Sequence, residues 1–210
     1  FIADYGELSA KKVEDLQFKL KPYMLRRLKQ DVDDTIPTKE EKIIEVDLTS
    51  IQKQYYRAIL ERNREFLSRG SKQQPSVNLM NVFMELRKCC NHPYLIDGAE
   101  DRIVNAAQAA GELSPNTMVT CSSKLVLMEK LLAKLREDGR RVLVFSQMRR
   151  VLDLLEDFVH LRSYPYERLD GNTSKEKRQA AVDRFCDPNE DAFVFLMSTR
   201  AGGLGLNLTR

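Results

Sequence analysis

The second half of the chain alternates segments of helical spacing with short apolar runs. In the first such segment, which ends at Gly139, the apolar residues recur three and four positions apart, at Leu125, Met128, Leu132 and Leu135. Two further segments repeat this spacing. Short strands are predicted at 142–145, at 166–169 and from Phe193 onward, and the first and third of these are apolar throughout, which is typical of buried strands. This alternation predicts a parallel sheet with right-handed crossovers, so the expected fold class is α/β.

The first half of the chain is predicted to be mainly helical. Apolar residues recur at helical spacing from Ile51 to Phe66, with a stop at Gly70, and again from Leu79 to a stop at Pro93. A basic helix is expected around residues 24–31 and a short alternating strand over 42–47. Residues 97–120 have little periodicity, and we expect a loop with a weak helix there.

Capping signals and composition set the expected boundaries. Thr49 with Gln52, and Thr173 with Glu176, have the spacing of a capping box, and Ser123 is the expected cap of the helix that ends at Gly139. The loop over 97–120 separates the helical half from the sheet half. The predicted domains are 1–48, a helical segment at 49–120, and a sheet domain at 121–210 that needs further strands after Arg210 to be complete.

Composition and charge add little by themselves. The 210 residues are 42% apolar, enough for a core, and 34 basic against 31 acidic residues give a net charge of +3. The longest apolar run is far too short for a membrane span. Five cations and no acid lie between Lys19 and Gln30. That stretch is either a phosphate-binding patch or a solvated helix face.

The four cysteines do not form a disulfide pattern. Cys89 and Cys90 are adjacent, and the other two stand alone, which is typical of a reducing compartment. Together with His92 they suggest zinc, but the spacing does not match a zinc knuckle and no second Cys/His pair follows. Buried thiols on a helix are the favoured interpretation.

Polar residues and glycines follow each of the three predicted strands. They are Ser146 and Gln147 after the first, 170–173 after the second and 198–203 after the third. Since parallel strands end at the same edge of a sheet, these hydroxyls, amides and glycine backbone groups should gather there with Arg168 and Arg200. This edge is predicted to hold phosphates. A P-loop with its lysine occurs nowhere in the chain, so the edge is not a complete triphosphate site and needs a partner surface.

Three of these segments resemble motifs of the Snf2 family of chromatin-remodelling ATPases, in the order and spacing of that family. They are residues 141–148, 166–171 and 198–208, which are similar to motifs IV, IVa and V. Upstream, residues 20–32 resemble the end of the first motor lobe, and residues 85–95 resemble the helical insertion. Within the family, residues 55–60, 97–100 and 164–168 are most similar to the chromodomain-helicase-DNA-binding subfamily, although the imitation-switch remodellers share much of the pattern.

The resemblance implies a role for each domain and site residue. Residues 1–48 would be the end of lobe 1 and the connection, 49–120 the helical insertion, and 121–210 an incomplete RecA-like helicase lobe 2, truncated after motif V. The residues implied to contact the DNA backbone are Ser146, Gln147, Arg168, Gly171, Ser198, Thr199 and Arg200. Those implied to face the nucleotide are Gly203, Gly205 and Asn207.

The same resemblance implies the cofactors and partners. The cofactors are ATP and Mg²⁺, bound mainly by lobe 1, and the partners are double-stranded DNA, the nucleosome with its histones and lobe 1 of the same protein, in the nucleus. The Walker lysine and the acidic magnesium motif of lobe 1 are absent, as are the arginine fingers of lobe 2. We therefore expect an ATP-dependent DNA translocase in the full protein but no ATP hydrolysis by this chain alone.

Two other functions fit part of the pattern. Another superfamily 2 DNA or RNA helicase would share the RecA-like sheet and its phosphate-binding edge, and a duplex-unwinding assay on a complete motor would separate the two. A non-enzymatic helical interaction module is suggested only by the amphipathic helices of 49–90, whose apolar faces are more often core than interface.

Overall fold

The computed structural model describes residues 10–25, 39–61, 82–203, 205, 206 and 208. The chain divides into two compact units, Phe1–Ile44 and Glu45–Arg210. In the part of the chain described, no helix combines the length and apolar character needed to cross a membrane.

The first unit contains helix α1 (Ala10–Leu20), which continues into a 3₁₀ turn at Lys21–Tyr23. Tyr23 and Leu25 are almost fully exposed within this unit. Most of the basic helix expected around residues 24–31 lies outside the described residues.

The strand expected over residues 42–47 is wrong. Residues 39–49 form neither helix nor strand, and the Ile43 side chain is 93% exposed. Alternating apolar residues become a strand only when a neighbouring strand accepts their hydrogen bonds. No described residue pairs with this segment.

The second unit begins with α2 (Ser50–Leu60), and its predicted capping box is confirmed. The Thr49 hydroxyl accepts from the Gln52 backbone N–H at 3.1 Å, and Gln52 Oε1 accepts from the Thr49 N–H at 3.2 Å. Tyr55 and Ile59 are buried as the periodicity predicts. The predicted continuation to Phe66 and Gly70 lies outside the described residues.

Helix α3 (Val82–Asn91) ends where the sequence predicts, ahead of Pro93 and a 3₁₀ turn at Pro93–Leu95. The face predicted from apolar spacing is confirmed in part, because Val82 and Leu86 pack against the core. Glu85 and Cys89 are buried beside them, whereas Phe83, which the same spacing placed inward, is 72% exposed.

Residues 97–120 are more ordered than expected. They contain α4 (Ala99–Ala109), which follows Gly98 at φ +76°, and the single turn α5 (Thr117–Thr120). Ala99 and Ile103 of α4 are buried with α2 and α3. The expected weak helix is therefore present as α4, and it is longer than expected because an alanine-rich segment has high helical propensity but few large apolar side chains to reveal its period.

The sheet half follows the predicted order of elements. Helix α6 (Ser123–Glu137) precedes strand β1 (Val142–Ser146), α7 (Arg149–Leu161) precedes β2 (Tyr166–Leu169), and α8 (Lys175–Cys186) precedes β3 (Val194–Ser198). A short helix, α9 (Thr199–Gly202), completes the series. Both strand pairs are parallel and the order is β1-β3-β2, which confirms the α/β class.

Two predicted helix caps are displaced by one residue. Ser122, and not Ser123, occupies the N-cap of α6. Ser174 caps α8 by accepting from the Lys177 N–H, whereas the Thr173 hydroxyl accepts from the Asp170 N–H inside the preceding turn. Adjacent hydroxyl residues give equivalent capping signals, so only the local backbone chooses between them.

The central strand β3 forms the core of the sheet half, and residues 194–197 are fully buried. Val194 and Leu196 pack on one face with α6 and α7, and Phe195 and Met197 pack on the other with α8. This alternation is what a strand covered on both faces requires. Because β1 and β2 both pair with β3 in parallel, the carboxyl ends of the three strands lie side by side at one edge of the sheet.

Candidate nucleic-acid interface

A groove of about 620 Å³ lies at the carboxyl edge of the sheet. All three strands contribute to it, with Gln147 after β1, Gly171 after β2, and Ser198, Thr199 and Arg200 at the end of β3. The expectation that these residues lie at one edge is therefore confirmed. Met84, Arg87, Met148, Arg149 and Asp170 complete its lining.

The loop after β1 is shaped by Ser146. Its hydroxyl donates to the Met148 carbonyl at 3.0 Å and accepts from the Met148 N–H at 3.2 Å. This closed turn leaves the Gln147 side chain exposed, where its Oε1 accepts from Arg87 Nη2 at 2.9 Å. Ser146 thus positions the loop and does not itself line the groove.

The loop after β3 begins as a turn of helix. The Ser198 hydroxyl accepts from the Ala201 N–H at 3.3 Å, which caps α9. Thr199 and Arg200 are exposed on the groove side. Within the described part of the chain, Arg200 has no ion-pair partner.

The position of Arg168 differs from the expected phosphate contact. Its guanidinium bonds Asp153 at 2.6 Å and Asp170 at 2.9 Å, and it also pairs with Glu156. Burial alone would lower the pKa of Arg168, but the hydrogen bonds that it donates to these carboxylates outweigh that and raise it. Because three acids already compensate its charge and it does not line the groove, Arg168 acts on the site through Asp170.

Asp170 is the carboxylate of the groove lining, and its charge is compensated. Burial alone would raise its pKa, but the Asn172 backbone N–H, the hydrogen bond and charge of Arg168 and the charge of Arg149 together hold the pKa below its usual range. Arg149 lies 3.6 Å from it. The groove lining therefore contains three arginines, Arg87, Arg149 and Arg200, and one carboxylate whose negative charge is already compensated, so the net charge of the lining is positive.

The expected nucleotide-facing residues form a separate group. Gly203 and Gly205 are exposed, and Gly205 has φ +52°, a conformation that favours glycine. Neither lines the groove, and Asn207 lies outside the described residues. The described glycine loop offers backbone groups but no cation, and no cluster able to hold a metal occurs among the described residues. These residues alone therefore do not make a complete site for ATP and Mg²⁺.

Cys89, Cys121 and His92 are buried in the helical half. Burial raises the pKa of the Cys89 and Cys121 thiols to about 12 and lowers that of His92 to about 4. His92 Nδ1 accepts from the Tyr94 N–H, so its Nε2 carries the proton and donates to the Met118 carbonyl. These groups therefore stay neutral and hold the backbone together.

Sequence reasoning did not identify Arg87 or Arg149 as site residues. Arg149 lies two positions after Gln147, so its place beside a strand end was a usable signal. Arg87 is 60 residues from Gln147 in the chain, and no local pattern connects the two.

Profiles of two protein families match the chain. The SNF2-related domain matches residues 1–95, and the helicase conserved C-terminal domain matches residues 123–210. Together they cover the chain except for residues 96–122.

Similar curated proteins cover the whole chain. Chromodomain-helicase-DNA-binding protein 8 of Xenopus tropicalis and protein 7 of Homo sapiens are each 55% identical to it over 215 aligned residues. Protein 6 of Rattus norvegicus is 54% identical over the same length. The chain spans only 10%, 7% and 8% of these three proteins respectively.

Similar solved structures support the fold. The C-terminal part of the Fun30 ATPase domain has a TM-score of 0.55 at 26% identity, over 77% of this chain and 69% of that one. A Sulfolobus solfataricus SWI2/SNF2 ATPase core in complex with double-stranded DNA has a TM-score of 0.57 at 18% identity, over 88% and 36% respectively. At that lower identity the likeness concerns the fold alone.

Proposed function

Because the chain belongs to the SNF2 family of helicase-like ATPases, we propose that it is part of an ATP-dependent double-stranded DNA translocase that remodels nucleosomes. In this proposal the sheet half is lobe 2 of the motor, and its groove holds the DNA phosphate backbone. The supporting observation is the groove itself. Gln147, Gly171 and Thr199 come from three strand ends and lie together in its lining, whose net charge is positive.

The chemistry of the groove suits a protein that moves along DNA. Guanidinium groups, hydroxyls and a side-chain amide bind phosphate oxygens regardless of the base attached. A translocase needs this property because it must bind every step of the duplex equally well. The proposed contacts with the DNA backbone are Gln147, Gly171, Ser198, Thr199 and Arg200. Ser146 shapes the loop after β1 and Arg168 pairs with Asp170, so these two residues position the groove without lining it.

The nucleotide is proposed to bind between lobe 1 and the glycine loop, with Gly203, Gly205 and Asn207 on the lobe 2 side. ATP with Mg²⁺ supplies the free energy for translocation. In this proposal the role of the sheet half is to form the lobe 2 side of that cleft. The curated relatives are named as chromodomain-helicase-DNA-binding proteins, and on this basis we propose the nucleosome as partner and the nucleus as location.

Replacing Arg200 with alanine should weaken binding to duplex DNA by about the same factor on every sequence. Loss of one phosphate contact should also lower the slope of log K against log salt by about one unit. Fluorescence anisotropy titrations on two unrelated duplexes at several salt concentrations would measure both effects.

Arg140→Ala is the matched control for Arg200→Ala. Arg140 is an exposed arginine just before β1, at the opposite edge of the sheet, so its loss changes net charge equally without altering the groove. Equal effects of the two substitutions, or an unchanged slope in Arg200→Ala, would remove Arg200 from the proposed contacts.

The 210-residue chain alone is expected to hydrolyse no ATP. Phosphoryl transfer needs a positioned lysine, magnesium and arginine, and the loss of the arginine alone costs about a thousandfold or more. Phosphate release with and without Mg²⁺ and duplex DNA would measure this, with the complete motor as positive control. Magnesium-dependent turnover by the purified chain would refute the expectation.

A further inference from the structure

We propose that the helical half contributes its own phosphate contact to the groove, Arg87, and that this arginine also sets the orientation of the Gln147 amide. The inference rests on the proposed function and extends it, because both the helical half and the sheet half would then contribute DNA contacts to the groove. The ligand chemistry is that of a nucleic-acid phosphate backbone.

Helix α3 is held firmly where it meets the groove. Its inward face carries Glu85 and Cys89, and the Cys89 carbonyl accepts from the buried Gln52 Nε2 at 2.9 Å. At its end, the Asn91 carbonyl accepts from the Ser122 hydroxyl at 2.8 Å. A helix fixed at both points presents Arg87 from a rigid support, which is what a phosphate contact needs.

The charge of Arg87 is available to a ligand. The side chain is exposed, and no carboxylate of the described residues pairs with it, whereas its neighbour Lys88 is paired with Glu85 at 2.6 Å. A guanidinium carries five N–H donors, and the described contact with Gln147 uses one of them. Arg87 thus matches Arg200, which lines the same groove and also has no acidic partner in the described part of the chain.

The contact with Arg87 selects which end of the Gln147 amide is left for a ligand. Arginine has donors only, so the amide oxygen must face it, and the structure has Oε1 there at 2.9 Å. The Nε2 hydrogens of Gln147 are left to donate. Phosphate oxygens only accept, and the amide is therefore preset in the orientation that binds phosphate and not in the reverse one.

The test is duplex DNA binding by the 210-residue chain, measured as affinity and salt slope. Arg87→Ala should lower the slope by about one unit and weaken binding about five- to tenfold near 0.1 M salt, equally on different sequences. Arg87→Lys keeps the charge and should keep the slope. Arg140→Ala, at the opposite sheet edge, is again the control for net charge.

A double-mutant comparison tests the orienting role. Gln147→Ala should weaken binding several-fold in the unchanged chain without altering the slope, but by less than about twofold when Arg87 is already alanine, because the amide is then no longer preset. Equal effects of Gln147→Ala in both backgrounds would overturn this role. Unfolding midpoints of all variants should match that of the unchanged chain, since Arg87 is exposed.

The outcomes separate this inference from the proposed function. If the unchanged chain shows no salt-dependent duplex binding, the proposed function of the groove fails. If the unchanged chain binds and Arg200→Ala lowers the slope while Arg87→Ala does not, the groove stands and the phosphate contact of Arg87 is refuted. Loss of the slope in a folded Arg87→Lys variant would also refute it.

Discussion

Replacing Gln52 with leucine is expected to destabilise the chain by about 3 to 5 kcal/mol, because it leaves several buried polar groups without partners. Gln52 is fully buried, and its amide links three segments. Nε2 donates to the Cys89 carbonyl at 2.9 Å, and Oε1 accepts from the backbone N–H groups of Thr49 and Ser123, each at 3.2 Å. Leucine fills a similar volume but satisfies none of these groups.

Urea unfolding followed by circular dichroism would measure the effect as a lower midpoint. Gln54→Leu is the matched control, since Gln54 is exposed on the same helix, and its change should stay within about 0.5 kcal/mol. A loss below about 1 kcal/mol in Gln52→Leu would show that the amide does not hold the helical half to α6.

The second large effect is expected for Phe195→Ala, at about 3 to 5 kcal/mol. Phe195 lies in the central strand with no exposed surface, and its ring centroid is 5.0 Å from that of Phe185 in α8. Truncation removes the ring and leaves a cavity between strands and helix that the covered sheet cannot close. The loss combines the transfer free energy of the side chain with the cost of that cavity.

Phe145→Ala on the neighbouring strand β1 is the matched control for Phe195→Ala. The Phe145 side chain is 51% exposed, so the same substitution should cost about 1 kcal/mol or less. Thermal unfolding of the two variants compares them directly. Similar losses for both would show that β3 is not the buried centre of the sheet.

Local signals predicted the elements whose periodicity or cap lies within a short stretch of sequence. The capping box at Thr49, the stop at Pro93 and the three short strands were all found in the expected places. The sequence was less informative where a signal was incomplete. Helix α4 has few large apolar residues, so only a weak helix was expected there, and residues 42–47 had the alternation of a strand without a strand to pair with in the described structure.

For the candidate site too, some residues could be predicted from the sequence and others could not. Gln147, Gly171 and Thr199 could be grouped from the sequence because parallel topology brings successive strand ends to one edge. Arg168 was expected to face phosphate, since a lone arginine near a strand end gives no sign of the carboxylates that α7 presents to it. Arg87 was missed because its contact with Gln147 spans 60 residues.

By itself the sequence determined the α/β class, the order of its elements and the gathering of polar residues and glycines at one edge of the sheet, because helical and strand periods and chain-adjacent turns are local properties. Only the tertiary structure decided which charges remain available there. The balance between arginines and carboxylates in the groove depends on side chains that approach from separate helices, and their distances are set by packing and not by spacing along the chain.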